Sequence, residues 1–236
     1  VSLVPTLGEV MESISSLLAD YGADIPLAFW TNIRLAFLAT LGSFALGVVL
    51  ALFRISPVPS LRALGTGYVN VVRNTPLTII MLLGVLAVWG QLKVSFSSDF
   101  TLNFFIYAVI ALSLYHAAFM CEAIRSGVNT VPLGQAEAAR SIGLGFLPAA
   151  RHVILPQALR GAITPLGNTV IALTKNTTVA AAASVAEASG LMKRMIEFSP
   201  DLMVAIFLTF AIGFCLIVIP IGLLTTWASE KWAVAR

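Results

Sequence analysis

Long apolar runs separated by short polar segments dominate the hydrophobic pattern of this chain. Five runs of about 20 residues carry almost no charged side chains, and they lie at 35–53, 76–92, 102–124, 162–185 and 202–227. About 20 apolar residues in a helix are enough to cross a hydrocarbon core roughly 30 Å thick. A soluble core would instead need helices with polar faces, which these runs lack. The pattern predicts an all-α integral membrane protein with about five transmembrane helices.

The composition supports a membrane location. Of the 236 residues, 58% are hydrophobic and 11% are charged, whereas soluble domains carry about 25% charged residues. Cys121 and Cys215 lie inside apolar runs with no partner nearby in sequence, so we expect two small buried side chains rather than a disulfide. The N-terminus has no basic segment, and we therefore expect no cleavable signal peptide.

The distribution of basic residues predicts an orientation. If the N-terminus is outside, nine basic residues fall in inner segments and four in outer ones, and basic residues favour the cytoplasmic side. We therefore predict the N-terminus outside and the C-terminus inside. Residues 1–28 would form an external segment, whose apolar spacing indicates a helix at the membrane surface. Residues 29–230 would form the transmembrane domain, and 231–236 a cytoplasmic tail.

The loop at about 126–160 is a charged exception to the apolar pattern. With the predicted orientation it is cytoplasmic, and its sequence predicts two short helices around a turn. Thr130 is placed to cap the first helix, and Gly143 to end it in a left-handed conformation. The second helix is expected to end at Pro156. The composition of this loop fits two alternative roles. The loop is either a docking surface for a partner protein or a helix lying on the lipid headgroups.

The spacing inside this loop separates the two roles. Glu137-Ala138-Ala139 is followed by three residues, Gly143, nine residues, Val153, one residue and Leu155-Pro156. This pattern is similar to the signature of permease subunits of ATP-driven importers, with Val153 where the family usually has Ile. The resemblance covers about residues 29–228. Further segments resemble the polar amino-acid branch, and within it the actinobacterial glutamate permeases: Tyr68–Thr78, Cys121–Gly145, Leu155–Arg160 and Leu173–Ala181.

The resemblance implies a fold and a set of partners. The fold would be that of type I ATP-binding-cassette (ABC) importer permeases, in a bacterial plasma membrane. The partners would be an ATPase dimer, an external substrate-binding protein and a second permease subunit, for which a related chain is favoured over an identical one. In such families the loop forms a coupling helix that docks in a cleft of the ATPase. The residues that this implies for coupling are Gly134, Glu137, Ala138, Ala139, Arg140, Gly143, Leu155 and Pro156.

The chain itself has no recognisable nucleotide site. No G-x-x-x-x-G-K-[ST] segment, whose backbone would cradle a phosphate, occurs in the sequence. We therefore expect no catalytic residue and no cofactor in this chain, with ATP and Mg²⁺ bound by the partner ATPase. We expect no nucleic acid among its partners. We also expect no metal, since a site at the mid-span His116 would need a set of further His or Cys ligands, which the sequence does not show.

A polar stripe in the fourth apolar run is the candidate substrate path. Lys175 is a charged residue within a predicted span, where charge is costly and usually functional. The related permeases usually have K-D-T-S-L where this chain has K-N-T-T-V, so Asn176 replaces an acid and would leave the path friendlier to an anionic substrate. The alternative is that Lys175 extends to the headgroups and its polar neighbours bond adjacent helices. The predicted path residues are Thr164, Asn168, Lys175, Asn176, Thr177 and Thr178.

The function implied is that of the membrane subunit of an amino-acid importer, with glutamate favoured as the substrate. Glutamine or another polar amino acid is the alternative within this class. A secondary transporter would be expected to carry an ion-coupling carboxylate in a span, whereas Glu122 and Glu187 lie at span ends. An intramembrane enzyme would need a nucleophile and base or a metal cluster, for which a lone mid-span His116 is poor support.

Overall fold

The computed structural model describes residues 7–232, and within that range the chain consists of helices and connecting loops without a β-strand. This confirms the all-α prediction. The α-helices in chain order are α1 (Leu7–Tyr21), α2 (Asp24–Ile55), α3 (Pro59–Arg73), α4 (Leu77–Leu82), α5 (Phe100–Val128), α6 (Leu133–Ser141), α7 (Phe146–Ala149), α8 (Leu155–Gly161), α9 (Ile163–Asn176), α10 (Ala188–Phe198) and α11 (Met203–Trp232). Two π-helical segments, Leu83–Trp89 and Ala150–Ile154, and two 3₁₀ segments, Thr177–Ala183 and Pro200–Leu202, continue or join them.

Within residues 7–232, three helices are long and apolar enough to cross a membrane. They are α2, α5 and the Pro200–Trp232 segment that contains α11. A fourth span is added if α3 and the Leu77–Trp89 helix, which meet at an angle of 102°, together form one. The predicted fourth run is different, because α9 has 14 residues and is therefore about 21 Å long. The five-span topology stays a prediction.

The bundle is built around α2 and α5, which run in the same direction. Gly47 of α2 lies so close to α5 that an added Cβ would stand 2.6 Å from the Cβ of Met120. A larger residue at position 47 would push the two helices apart. Near the ends of both helices, Arg54 of α2 forms an ion pair with Glu122 of α5. The end of the bundle that carries this pair and helices α6 to α8 is called the loop end below.

Helix α9 packs between α5 and α11 and runs opposite to both. Its first turn follows Ala162, which lies beside Gly127 near the end of α5, and its last residue, Asn176, lies beside His116 in the middle of α5. On its other side, Gly167 faces Thr225 near the end of α11. The alternation in direction between α5, α9 and α11 is the one that successive membrane spans require.

The polar segment before α4 does not cap that helix. Asn74 and Thr75 instead donate hydrogen bonds back to α3, to the carbonyl oxygens of Asn70 (2.7 Å) and Val71 (2.8 Å). Pro76 is the cap residue of α4, and no side chain caps the helix. The two side chains therefore satisfy the carbonyl groups at the end of α3, where the chain bends into α4.

Two predictions for the loop between α5 and α9 were wrong in detail. Thr130 does not cap α6, because α5 extends to Val128 and the Thr130 hydroxyl donates to the carbonyl of Gly127, 2.7 Å away. Pro156 does not end the second helix but lies in the first turn of α8. The π-helical turn before it adapts the backbone to a residue that has no N–H to donate.

The N-terminal segment contains the predicted helix, α1, which packs on the rest of the bundle. Leu17 is buried in a cluster with Ile25 of α2 and with Ile206 and Phe210 of α11. Its position at the membrane surface stays a prediction. The predicted tail at 231–236 lies mostly outside the described residues, and α11 continues to Trp232.

Candidate functional site

Helix α6 presents an exposed surface at the loop end of the bundle. Leu133 is 83% exposed, Ile142 77% and Leu147 60%, and Glu137 and Arg140 between them are also exposed. Leu133, Glu137 and Arg140 follow one another at intervals of four and three, so they share one face of the helix. Solvent-exposed apolar side chains around two charged residues are typical of a surface that a partner covers. We call these five residues the loop surface.

The other predicted coupling residues differ in accessibility. Gly134 and Ala138 are exposed, and no atom would lie within 4 Å of a Cβ added at Gly134. Ala139 is buried on the opposite side, where α6 contacts the π-helical turn Ala150–Ile154. Leu155 is half-buried, and Pro156 is exposed. The loop therefore brings most of the predicted coupling residues to its surface, whereas Ala139 holds α6 against the rest of the loop.

Gly143 ends α6 as the sequence predicted. Its φ of +85° lies in the left-handed region, which costs other residues roughly 1–2 kcal/mol. Its N–H donates to the carbonyl of Arg140 (2.9 Å), and the N–H of Leu144 donates to that of Ala139 (3.1 Å). These two bonds form a Schellman motif. Gly143 thus stops the helix and directs the chain into the turn that exposes Ile142 and Leu147.

The predicted substrate-path residues lie on and just after α9. Thr164, Asn168 and Lys175 are exposed along one side of the helix, as intervals of four and seven residues predict. Lys175 is in the last turn, where its positive charge complements the negative end of the helix dipole. After Asn176 the backbone changes to a 3₁₀ helix. The polar K-N-T-T segment therefore coincides with the end of the regular α-helix, where a 3₁₀ continuation is common.

Asn168 and Asn176 line a cleft between α9 and α5. The cleft has a volume of ≈ 320 Å³, and His116 and Phe119 of α5 form its other wall. Nδ1 of His116 lies 3.0 Å from the carbonyl oxygen of Leu112, so Nδ1 carries the proton and donates there. Nε2 then accepts a hydrogen bond from Nδ2 of Asn176, 3.2 Å away. This bond joins α5 to α9 and fixes the orientation of the Asn176 amide.

Lys175 and Thr178 line a second cleft, between α9 and α11. Its volume is ≈ 390 Å³, and its other lining residues, such as Phe214, are mostly apolar. A larger cleft of ≈ 760 Å³ shares Thr178 and Phe214 with it and is also lined by Lys193 of α10. Two cations, Lys175 and Lys193, therefore border neighbouring clefts on the α11 side of this segment.

Thr177 belongs to a buried polar network that the sequence analysis missed. Its hydroxyl accepts a hydrogen bond from Nδ2 of Asn32 in α2, 2.9 Å away. The same Nδ2 lies 2.9 Å from Oε2 of Glu187, and Oδ1 of Asn32 accepts from the N–H of Ala188. Asn32, Thr177 and Glu187 are each 0% exposed. The hydroxyl of Thr177 therefore faces this network rather than an open cleft.

The Glu187 carboxylate is the centre of this network and caps α10. It accepts hydrogen bonds from the N–H and hydroxyl groups of Ser189 and from the N–H of Gly190. The Ser189 hydroxyl also lies 3.0 Å from the carbonyl oxygen of Thr178. The network ties α2, the 3₁₀ segment and α10 together. The sequence contains no signal for this cap, because glutamate is not among the residues usually found at a helix N-cap.

Glu122 joins three arginines at the loop end of the bundle. It pairs with Arg125 on its own helix, as their i, i+3 spacing predicts, with 3.1 Å between Oε2 and Nη2. It also pairs with Arg54 at the end of α2, and Nη1 of Arg73 at the end of α3 lies 3.9 Å from it. The sequence identified the local pair alone, because the other two contacts depend on how α2, α3 and α5 meet.

Neither a disulfide nor a metal site is built by the described part of the chain. Cys121 is buried and Cys215 is exposed on α11, and both are free thiols. The expected burial of Cys215 was therefore wrong, because this part of α11 has an uncovered apolar face. Within residues 7–232 no three His, Cys, Asp or Glu side chains are grouped so as to hold a metal ion.

Comparison with known proteins places the sequence in a family. A family model described as "Binding-protein-dependent transport system inner membrane component" matches residues 43–231. The chain is 46% identical over 228 residues to the glutamate transport system permease protein GluC of Corynebacterium efficiens, covering 94% of this chain and 100% of that protein. The same identity and coverage hold for GluC of Corynebacterium glutamicum. These matches confirm the resemblance inferred from the loop motif.

Other relatives and solved structures widen the comparison. The chain is 38% identical to the probable glutamine ABC transporter permease protein GlnM of Bacillus subtilis, over 64% of this chain and 67% of that protein. A crystal structure of an amino acid ABC transporter with histidines superposes with a TM-score of 0.76, at 24% identity, covering 91% of this chain and 96% of that one. The MetNI methionine ABC transporter superposes with a TM-score of 0.71, at 18% identity, covering 89% and 97%. Both likenesses show the fold, which is the one predicted.

Proposed function

The chain belongs to the family of binding-protein-dependent transport system inner membrane components, and we propose that it is the permease subunit of an ATP-driven importer for glutamate. The single observation that supports glutamate as the substrate is the 46% identity to two glutamate permeases over 94% of this chain. The local charge also favours an acidic substrate, because Lys175 borders a mostly apolar cleft and the residue after it, Asn176, is uncharged.

We propose that the loop surface docks on a separate ATPase dimer, which binds ATP and Mg²⁺. Leu133, Ile142 and Leu147 would be buried in that contact, and removing each from water would contribute up to about 1.5–3 kcal/mol. Glu137 and Arg140 would then select the partner through charge. Closure of the ATPase on ATP would move α6, and with it the α5 and α8 segments on either side of the loop.

In this proposal, substrate passes the end of α9. The Lys175 ammonium attracts the side-chain carboxylate of glutamate, while His116 holds the Asn176 amide in one orientation. Thr164, Asn168 and Thr178 supply further polar groups along the same side of the chain. Thr177 acts indirectly, by anchoring the 3₁₀ segment to Asn32. The exposed side of α9 needs a facing surface to enclose a path, which a second permease subunit would supply. We favour a related chain as that subunit.

In this proposal, an external binding protein delivers the substrate to the permease. Two measurements test the proposed function. The chain is purified with the subunits encoded beside it, and an ATP-binding-cassette ATPase is expected among them. Uptake of labelled glutamate into proteoliposomes made from this complex is then competed with unlabelled glutamate, glutamine, aspartate, arginine and cystine. Glutamate is expected to compete best. Stronger competition by glutamine, with uptake still driven by ATP, would overturn the substrate and leave the importer class in place.

A further inference from the structure

A basic cleft at the loop end lies apart from the substrate-path residues and the loop surface. It is formed where the junction of α8 and α9 meets the end of α11. The cleft has a volume of ≈ 560 Å³ and is lined by Leu159, Arg160, Ile163, Lys231 and Trp232. Two of its five lining residues are cations, and none is an acid. Neither the coupling role of α6 nor the path along α9 makes use of it.

The two cations of this cleft are free to bind an anion. Arg160 and Lys231 are both exposed, and the ion pairs found in the described residues all involve Glu122 instead. Glu230 precedes Lys231 on α11 and is exposed, but successive residues point about 100° apart on a helix. Lys231 also lies over the ring of Trp227, 5.1 Å from its centroid, which holds its ammonium near the helix surface.

The surface that leads to this cleft is apolar. Leu216, Ile219 and Leu223 of α11 are 70%, 56% and 66% exposed, and they follow one another at intervals of three and four. Continuing at the same spacing, the stripe reaches Trp227 and then Lys231. Tryptophan is enriched where membrane helices leave the hydrocarbon core. An apolar stripe that ends in tryptophan and lysine matches a lipid molecule lying along the helix, with acyl chains beside the leucines and headgroup beside the cations.

We propose that this cleft binds the phosphodiester headgroup of an anionic phospholipid. The Arg160 guanidinium contributes two donors to the phosphate oxygens, and the Lys231 ammonium adds a point charge. The Trp232 ring lies at the headgroup level, and the acyl chains follow the stripe on α11. Basic pockets between membrane helices are a recognised setting for anionic lipid headgroups. The inference uses the membrane location of the family and does not depend on which amino acid is carried.

The test uses the complete transporter complex, purified in detergent. It is titrated with phosphatidylglycerol or phosphatidylcholine, and bound lipid is counted by native mass spectrometry. The double variant Arg160→Gln/Lys231→Gln is expected to bind phosphatidylglycerol at least about tenfold more weakly than the unmodified complex. The matched control, Arg62→Gln/Lys93→Gln, removes the same charges from exposed positions outside the cleft and is expected to bind normally. Equal binding by the two double variants would overturn the proposal.

Two further arms separate the lipid from other anions and from misfolding. Inorganic phosphate and glycerol phosphate are added as competitors, and each is expected to displace phosphatidylglycerol poorly, because neither has acyl chains. Complete displacement by either at millimolar concentration would contradict a lipid site. The variant Arg160→Lys/Lys231→Arg exchanges the two residue types but keeps both positive charges, and it is expected to retain most of the binding. If this variant loses binding as fully as the double Gln variant while its ATPase activity is normal, the charge explanation fails.

Discussion

Replacing Lys175 by Met is expected to lower glutamate transport about tenfold and to alter substrate preference. The Lys175 side chain borders a mostly apolar cleft between α9 and α11, and Met keeps most of its length without the charge. Two opposite charges about 5 Å apart attract by about 3 kcal/mol at an effective dielectric constant of about 20, and by about 0.8 kcal/mol in bulk water. Because Lys175 is exposed, its attraction to a substrate carboxylate is expected to lie between these two energies. A value of about 1.5 kcal/mol corresponds to a factor of about ten.

The alternative role for Lys175 predicts a different result. If it only complements the dipole at the end of α9, Met would cost roughly 0.3–1 kcal/mol of stability and leave the selectivity unchanged. The assay is therefore the ratio of glutamate to glutamine uptake in proteoliposomes. Lys175→Arg, which keeps the charge, and Lys93→Met, which removes an exposed charge outside the cleft, are the controls. An unchanged ratio in Lys175→Met would refute the electrostatic reasoning.

Three other predictions test the loop, the topology and the buried network. Gly134→Trp adds bulk to the open surface of α6 and should abolish ATP hydrolysis coupled to transport, whereas Gly134→Ala should not; normal coupling in the Trp variant would exclude docking there. A cysteine at Ser97 should react with an impermeant thiol reagent from outside and one at Gly145 from inside, with the reverse pattern contradicting the orientation. Glu187→Ala leaves buried donors unpaired and should destabilise the protein by about 2–4 kcal/mol. Thermal unfolding measures this loss, with Glu197→Ala on the exposed side of α10 as the control. Equal stability of the two variants would count against the network.

Helix content and helix ends were predictable from the sequence where the signal is local. The first, third and fifth apolar runs form α2, α5 and α11, because each carries enough apolar residues to make a long helix. Gly143 ends α6 because the left-handed conformation strongly favours glycine. The i, i+3 pair of Glu122 and Arg125 follows from helix geometry alone.

Features that depend on packing between distant segments were not predictable. Asn32 and Glu187 are 155 positions apart, and no spacing rule relates them until α2 and α10 meet. The break after Asn176 was hidden by the continuous apolar character of the fourth run, since a 3₁₀ segment of small residues has no strong composition signal. The roles assumed for Thr130 and Pro156 failed because both depend on where the neighbouring helix ends. The burial of Thr177 was also not predictable, because it depends on contact with Asn32 of the distant helix α2.

The most direct test of the proposed function is whether the assembled complex accumulates glutamate at the expense of ATP. Proteoliposomes that contain this chain, its partner subunits and internal ATP with Mg²⁺ are supplied with the external binding protein and labelled glutamate. We predict accumulation against a gradient that stops without ATP, persists when ionophores collapse ion gradients, and is lost in the Gly134→Trp variant of α6. Accumulation that continues without ATP and stops with ionophores would show a secondary transporter and overturn the proposed function.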